Sequence, residues 1–110
     1  MRDLTWQTIG KTSDLIAGAG VGAQIGHQQI ALFWLKPHQR LYAVSNFCPF
    51  SEANIIARGI IGDIDGEPVV ASPLHKEHFS LLDGRCLEHP EQNLAVWQAQ
   101  IVGDEVQIAC

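Results

Sequence analysis

Short apolar runs separated by turn residues dominate the chain, and helical periodicity is scarce. Residues 30–35 are all apolar, Lys36-Pro37-His38-Gln39-Arg40 supplies turn residues, and residues 41–44 resume, which predicts a hairpin. Asp65-Gly66 ahead of Pro68-Val69-Val70-Ala71 predicts a second strand pair joined by a tight turn. Residues 79–82 lead into Asp83-Gly84 and Arg85-Cys86-Leu87, and residues 94–102 and 105–108 flank Gly103-Asp104. Repeated hairpin signals in so short a chain predict an all-β fold, an antiparallel β-sandwich or small barrel. The Gly-rich stretch 12–27 predicts one short strand near residues 23–25, and any helix is expected as a single turn around residues 51–55. No repeat, low-complexity segment or long linker divides the chain, so residues 1–110 are expected to form one domain.

Composition narrows the function. With 46% hydrophobic residues the chain can build a core without disulfides, and its 17% charged residues leave much of the surface neutral. A net charge of −5 argues against nucleic acid and anionic membranes as partners. Three cysteines, Cys48, Cys86 and Cys110, form no C-x-x-C pair, which disfavours a secreted disulfide framework. The opening Met1-Arg2-Asp3-Leu4-Thr5-Trp6 lacks the apolar core of a signal peptide, and no apolar stretch is long enough to span a bilayer. Cytoplasmic residence is the expectation.

Two apparent motifs lack the context their chemistry needs. Gly18-Ala19-Gly20-Val21-Gly22-Ala23 fits the dinucleotide pattern G-x-G-x-x-A, but no strand is predicted before it, no helix after it, and no acidic residue stands about 20 positions on. It is expected to be a turn between strands. The acidic stretch Asp63-Ile64-Asp65-Gly66-Glu67 lacks the remaining spacing of a calcium loop, and turn chemistry accounts for it. No nucleophile triad or oxyanion hole is readable, and no catalytic residue is assigned.

The informative segments are Asn46-Phe47-Cys48-Pro49-Phe50-Ser51 and Ala71-Ser72-Pro73-Leu74-His75-Lys76-Glu77-His78-Phe79. Two proline-stiffened loops, each after a strand, carry metal-type residues, and Phe79…Asp83-Gly84 closes the second. This layout resembles the Rieske family of [2Fe–2S] domains, whose loops read C-x-H and C-x-x-H. In a Rieske centre two thiolates hold one iron and two imidazoles the other. The resemblance places the four ligand positions at Cys48, Phe50, Ser72 and His75, so Cys48 and His75 match while Phe50 and Ser72 do not. Each iron would keep one protein ligand, and the loops would form a cluster-type tip with a degenerate site.

The strings Asn46-x-x-Pro49-Phe50, Ser51-x-Ala53, Ala57-Arg58-Gly59-Ile60-Ile61-Gly62, Val70-Ala71-Ser72-Pro73-Leu74 and Cys86-Leu87-Glu88 are similar to a narrower family, the small subunits of assimilatory NAD(P)H-dependent nitrite reductases. That resemblance implies a non-catalytic accessory subunit that binds no metal or cofactor itself. It also implies a large catalytic subunit as partner, carrying FAD, siroheme and a [4Fe–4S] cluster and reducing nitrite to ammonium. In this reading Phe50 fills the space of the cluster, since an empty cavity would cost stability, and Ser72 bonds loop backbone. Competing expectations are a Rieske-type ferredoxin that carries electrons, and a stand-alone protein-binding module on the same scaffold. A zinc site from Cys48, His75, His78 and Cys86 is the further metal alternative. Trp6, Trp34 and Trp97 are expected in the core or on sheet faces, and Arg58 is expected to brace its loop or touch a partner.

Overall fold

In a computed structural model that describes residues 5–35, 40–74 and 76–109, the unbroken apolar run of the sequence becomes the central strand of a sheet covered on both faces. The strands are β1 (Trp6–Lys11), β2 (Gly20–Ile25), β3 (Gln28–Leu35), β4 (Arg40–Ser45), β5 (Phe47–Cys48), β6 (Ala53–Asn54), β7 (Ile60–Ile64), β8 (Glu67–Ala71), β9 (His78–Ser80), β10 (Val96–Trp97), β11 (Ala99–Val102) and β12 (Glu105–Ala109). They pair in the orders β10-β4-β3-β2, β1-β12-β11 and β7-β8-β9, with β5-β6 as a separate short hairpin, and every ladder is antiparallel.

Side chains alternate across a strand, so β3 serves two cores at once. Ala31 and Phe33 join Val70, Phe79, Leu81 and Cys86 on one face, whereas Ile30 and Leu32 join Val106 and Ile108 on the other. Burial on both faces removes the polar positions that would otherwise interrupt the run. The four-stranded sheet is therefore the middle layer of a β-sandwich.

The β3–β4 pairing runs from Ile30↔Ser45 to Leu35↔Arg40, as the sequence predicts, while its turn residues 36–39 lie outside the described residues. The β7–β8 turn also follows its chemistry: Asp65 (φ 52°) and Gly66 (φ 84°) both adopt the left-handed region that a two-residue hairpin needs. The pairing around Asp83-Gly84 is thinner than expected, a single bridge Phe79↔Cys86 flanked by Ser80 N–H to Arg85 O and Leu87 N–H to His78 O.

Three expectations are corrected. Residues 94–102 do not form one strand, because β10 pairs with β4 in the middle sheet and β11 with β12 in the outer one, with the corner at Gln98. A strand that changes sheets must bend, and apolar patterning does not register the bend. The helical turns lie at Ile56–Arg58 and Thr12–Asp14, both 3₁₀, and residues 53–54 are strand. The short strand expected at 23–25 extends from Gly20 to Ile25, so only Gly18 (φ 77°) and Ala19 of the G-x-G-x-x-A stretch lie in the turn before it. Gly20 is glycine for want of room: a Cβ there would lie 2.2 Å from the carbonyl oxygen of Ala57.

Candidate functional site

Three segments meet at one end of the sandwich. The first runs from β5 through Pro49 to Glu52, closed by Glu52 N–H to Cys48 O at 2.8 Å, with Glu52 at φ 54°. Asn46 fixes its base. Its side-chain oxygen accepts from Ala57 N–H at 2.7 Å and its backbone oxygen from Ile56 N–H at 3.1 Å, which ties the loop to the 3₁₀ turn. The second is the loop after β8, held shut by Ser72 N–H to Glu77 O and Lys76 N–H to Ser72 O, both 2.9 Å. The third, residues 86–92, folds back through Cys86 N–H to Gln92 O at 3.0 Å.

Cys48 and Ser72, from different loops, face each other in the interior. Both are buried, and Cys48 Sγ lies 3.8 Å from Ser72 Oγ. Burial opposes ionisation of Cys48, but the Ser51 hydroxyl, the backbone N–H groups of Ser51 and Phe50, and the Ser72 hydroxyl together outweigh it and hold the thiol below its ordinary value. The Ser51 hydroxyl is itself buried beside the sulfur, near enough to polarise it without a hydrogen bond of ordinary geometry. The separation of 3.8 Å is informative. Two sulfur ligands on one tetrahedral metal, at bonds of about 2.3 Å, stand about 3.8 Å apart. The two side chains are within weak hydrogen-bonding reach across the two loops, at the positions that the Rieske resemblance expects as ligands of one iron.

Phe50 points elsewhere. Its ring packs on the first core cluster, with its centroid 6.1 Å from that of Phe79 and 5.4 Å from that of His89. Both contacts are tilted, a favourable arrangement for aromatic rings. An aryl ring has no lone pair to offer a metal. His75, the fourth position that the Rieske resemblance picks out, lies outside the described residues.

The residue that sequence reasoning underweighted is Glu88. One carboxylate oxygen accepts from the backbone N–H of His78 at 2.8 Å, and the other lies 2.7 Å from His78 Nδ1. The Cys86 thiol points at the same carboxylate, 3.8 Å away. Burial alone would raise the Glu88 pKa, but the backbone and ring of His78 outweigh it and hold the carboxyl below the usual range. Burial pushes the Cys86 thiol up. Glu88 thus clamps the third segment to β9. Its position in Cys86-Leu87-Glu88 was the available signal, but nothing local to that string announces a partner ten residues upstream.

Of the zinc combination, His75 lies outside the described residues, and Cys48, His78 and Cys86 do not converge. His78 is engaged by Glu88, and among the described residues no three His, Cys, Asp or Glu side chains converge as a metal site would require. Arg58 is exposed at the end of its 3₁₀ turn and forms no ion pair among the described residues. Trp34 and Trp97 pack on the second core cluster and Trp6 is 39% exposed, in keeping with core and sheet-face positions.

Comparison with known proteins places this geometry. Residues 5–109 match the family described as Rieske-like [2Fe-2S] domain. The nitrite reductase (NADH) small subunit of Salmonella typhimurium is 39% identical over 103 residues, covering 94% of this chain and 95% of that protein. The nitrite reductase [NAD(P)H] large subunit of Klebsiella oxytoca is 40% identical over 103 residues, but this chain spans only 11% of its length. Among solved structures, a protein described as a putative NADH-dependent nitrite reductase small subunit from Mycobacterium tuberculosis superimposes with a TM-score of 0.91 at 37% identity, covering 99% of this chain and 97% of that one.

Proposed function

The chain belongs to the Rieske-like [2Fe–2S] domain family, among the nitrite reductase small subunits, and on that premise we propose that it is a non-catalytic accessory subunit of a cytoplasmic NAD(P)H nitrite reductase. Its partner in this reading is the large catalytic subunit, which carries FAD, siroheme and [4Fe–4S] and reduces nitrite to ammonium. The Klebsiella relative supports the pairing, because there a region like this chain is part of a polypeptide named as the large subunit.

The degenerate site is the second half of the proposal. The observation that supports it is the packing of Phe50 on Phe79 and His89, an aryl ring held by aromatic contacts at a sequence position where the Rieske pattern calls for an imidazole ligand. At the first iron position Ser72 keeps the spacing and loses the thiolate. A serine hydroxyl at neutral pH is a poor replacement for a thiolate, so the residues present do not fit a [2Fe–2S] cluster. Cys48, Phe50, Ser72 and His75 then serve to hold the tip together, and electron transfer stays with the large subunit.

Metal and acid-labile sulfide analysis of anaerobically purified protein, with a visible spectrum, tests the site. Colourless, folded protein is expected. Stoichiometric iron and sulfide with a reduced-state EPR signal would instead establish a ferredoxin. Affinity capture from nitrate-grown cells tests the partner, with the large reductase subunit as the expected prey and its absence as the refuting result.

A further inference from the structure

The geometry points to a docking groove that shares no residue with the tip: we propose that an uncharged, apolar segment of the large reductase polypeptide seats between β10 and β11, against Trp6, Tyr42 and Trp97. This rests on the reading of the chain as a reductase subunit.

The groove encloses about 470 Å³ where the strand from residue 96 to 102 turns from the middle sheet to the outer one. Every residue lining it is uncharged, on a protein with a net charge of −5. Apolar side chains remain open to solvent around it: Leu82 is 54% exposed, Val96 41% and Trp6 39%. Aromatic side chains and sparse charge mark the centre of protein–protein contacts more than the general surface does. The strands on either side, β10 and β11, are both outermost in their sheets, so backbone on both flanks can receive an extended chain. The tip offers a different chemistry. It displays Leu74 and Phe47, but Glu52, Glu88 and Glu91 are exposed around them.

The occupant follows from where the chain enters and leaves the fold. Trp6 and Ala109 are register partners in the β1–β12 ladder, and Ala109 N–H donates to Gln98 O at 2.9 Å. Trp6 and Gln98 both line the groove. Residues 5 and 109 bound the family match, so both ends of the domain emerge beside this groove. In the Klebsiella polypeptide, of which the matching region is 11%, the remaining chain must attach at one or both of those ends. The surface that the attached chain meets first is the uncharged groove. A separately encoded large subunit would use the same contact without the covalent link.

The test measures binding of the purified large subunit to the full chain and its variants. Leu82→Lys and Leu82→Glu are each expected to weaken the Kd at least tenfold, while Leu74→Lys at the tip leaves it within twofold. Hydrogen–deuterium exchange of the wild-type complex is expected to slow across residues 94–102. Thermal unfolding of each variant confirms that it folds. If both Leu82 variants bind like wild type, or Leu74→Lys alone weakens binding, the groove is overturned and the subunit reading stands. If one Leu82 charge weakens binding and the other strengthens it, the contact is electrostatic and the apolar occupant is wrong. If the wild-type chain does not bind the large subunit, the subunit reading falls and the groove with it.

Discussion

Replacing Phe50 by alanine separates a ring that packs the tip from a ring that merely lies on it. Truncating a fully buried phenylalanine costs about 3–5 kcal/mol, from lost transfer energy and the cavity left behind. Phe50 is half-buried, so about half that transfer energy is at stake. Its tilted contacts with Phe79 and His89 add a share of the ~0.5–1.5 kcal/mol that such pairs contribute. The expected loss is about 2 kcal/mol, or about 8 °C in Tm for a domain of this size. Phe79→Ala is the calibrating variant: Phe79 is fully buried in the first core cluster and should lose about 4 kcal/mol. Urea denaturation followed by circular dichroism gives both values on one scale. A Phe50→Ala loss below about 0.5 kcal/mol, the range of neutral surface changes, would show that the ring is not a plug and would refute the packing argument.

The other expectations concern backbone room, pH and thiol access. Gly20→Ala should cost about 3 kcal/mol, because its Cβ would lie 2.2 Å from Ala57 O, whereas Gly22→Ala, with Asn46 Nδ2 at 3.9 Å, should stay within about 0.5 kcal/mol; equal unfolding midpoints would sink the steric account. Glu88 has a lowered folded pKa, so its stabilising contribution is full above the unfolded value of about 4.3 and is lost as pH falls through the folded value. The stability gap between wild type and Glu88→Gln should therefore be open at pH 7 and narrow as the pH falls below about 4, and a gap that widens with acid would contradict the clamp. The Cys48 thiol is held below its ordinary pKa but is fully buried, so labelling by an aromatic disulfide should follow the unfolding equilibrium as urea is raised. Rapid labelling in native buffer would mean that the tip opens.

What the sequence disclosed, and what it withheld, divides along physical lines. The hairpins at residues 30–45 and 60–71 were legible because their signals are local: apolar strands with turn residues between them. The corner at Gln98 was not, since both halves of that strand are equally apolar and only the identity of their partners, β4 and β12, separates them. Gly20 misled for a related reason. Its glycine looks like turn chemistry, yet answers to the 3₁₀ turn more than 35 positions away. At the tip, Cys48 and Ser72 could be named from the resemblance to Rieske loops, but their contact and the reach of Glu88 back to His78 are products of the fold.

On the proposed reading, the scaffold has outlasted its cluster. Losing a ligand removes metal affinity at once, but the loops collapse only if their remaining contacts cannot hold them. Here the contacts are redundant. Asn46 anchors the first loop to the 3₁₀ turn, Ser72 and Lys76 close the second by backbone bonds, and Glu88 clamps the third to β9. None of these bonds involves a metal. A tip so braced could lose thiolate at one position and imidazole at another and still keep the Cys48 and Ser72 side chains 3.8 Å apart. Restoring chemistry should then need little backbone change. The double variant Phe50→His, Ser72→Cys is expected to take up iron and sulfide on reconstitution and to develop visible absorbance, whereas Phe50→His alone should not. If the double variant folds as the wild type does and stays colourless, the tip has changed shape as well as composition, and the spacing of Cys48 and Ser72 is not a relic of ligation.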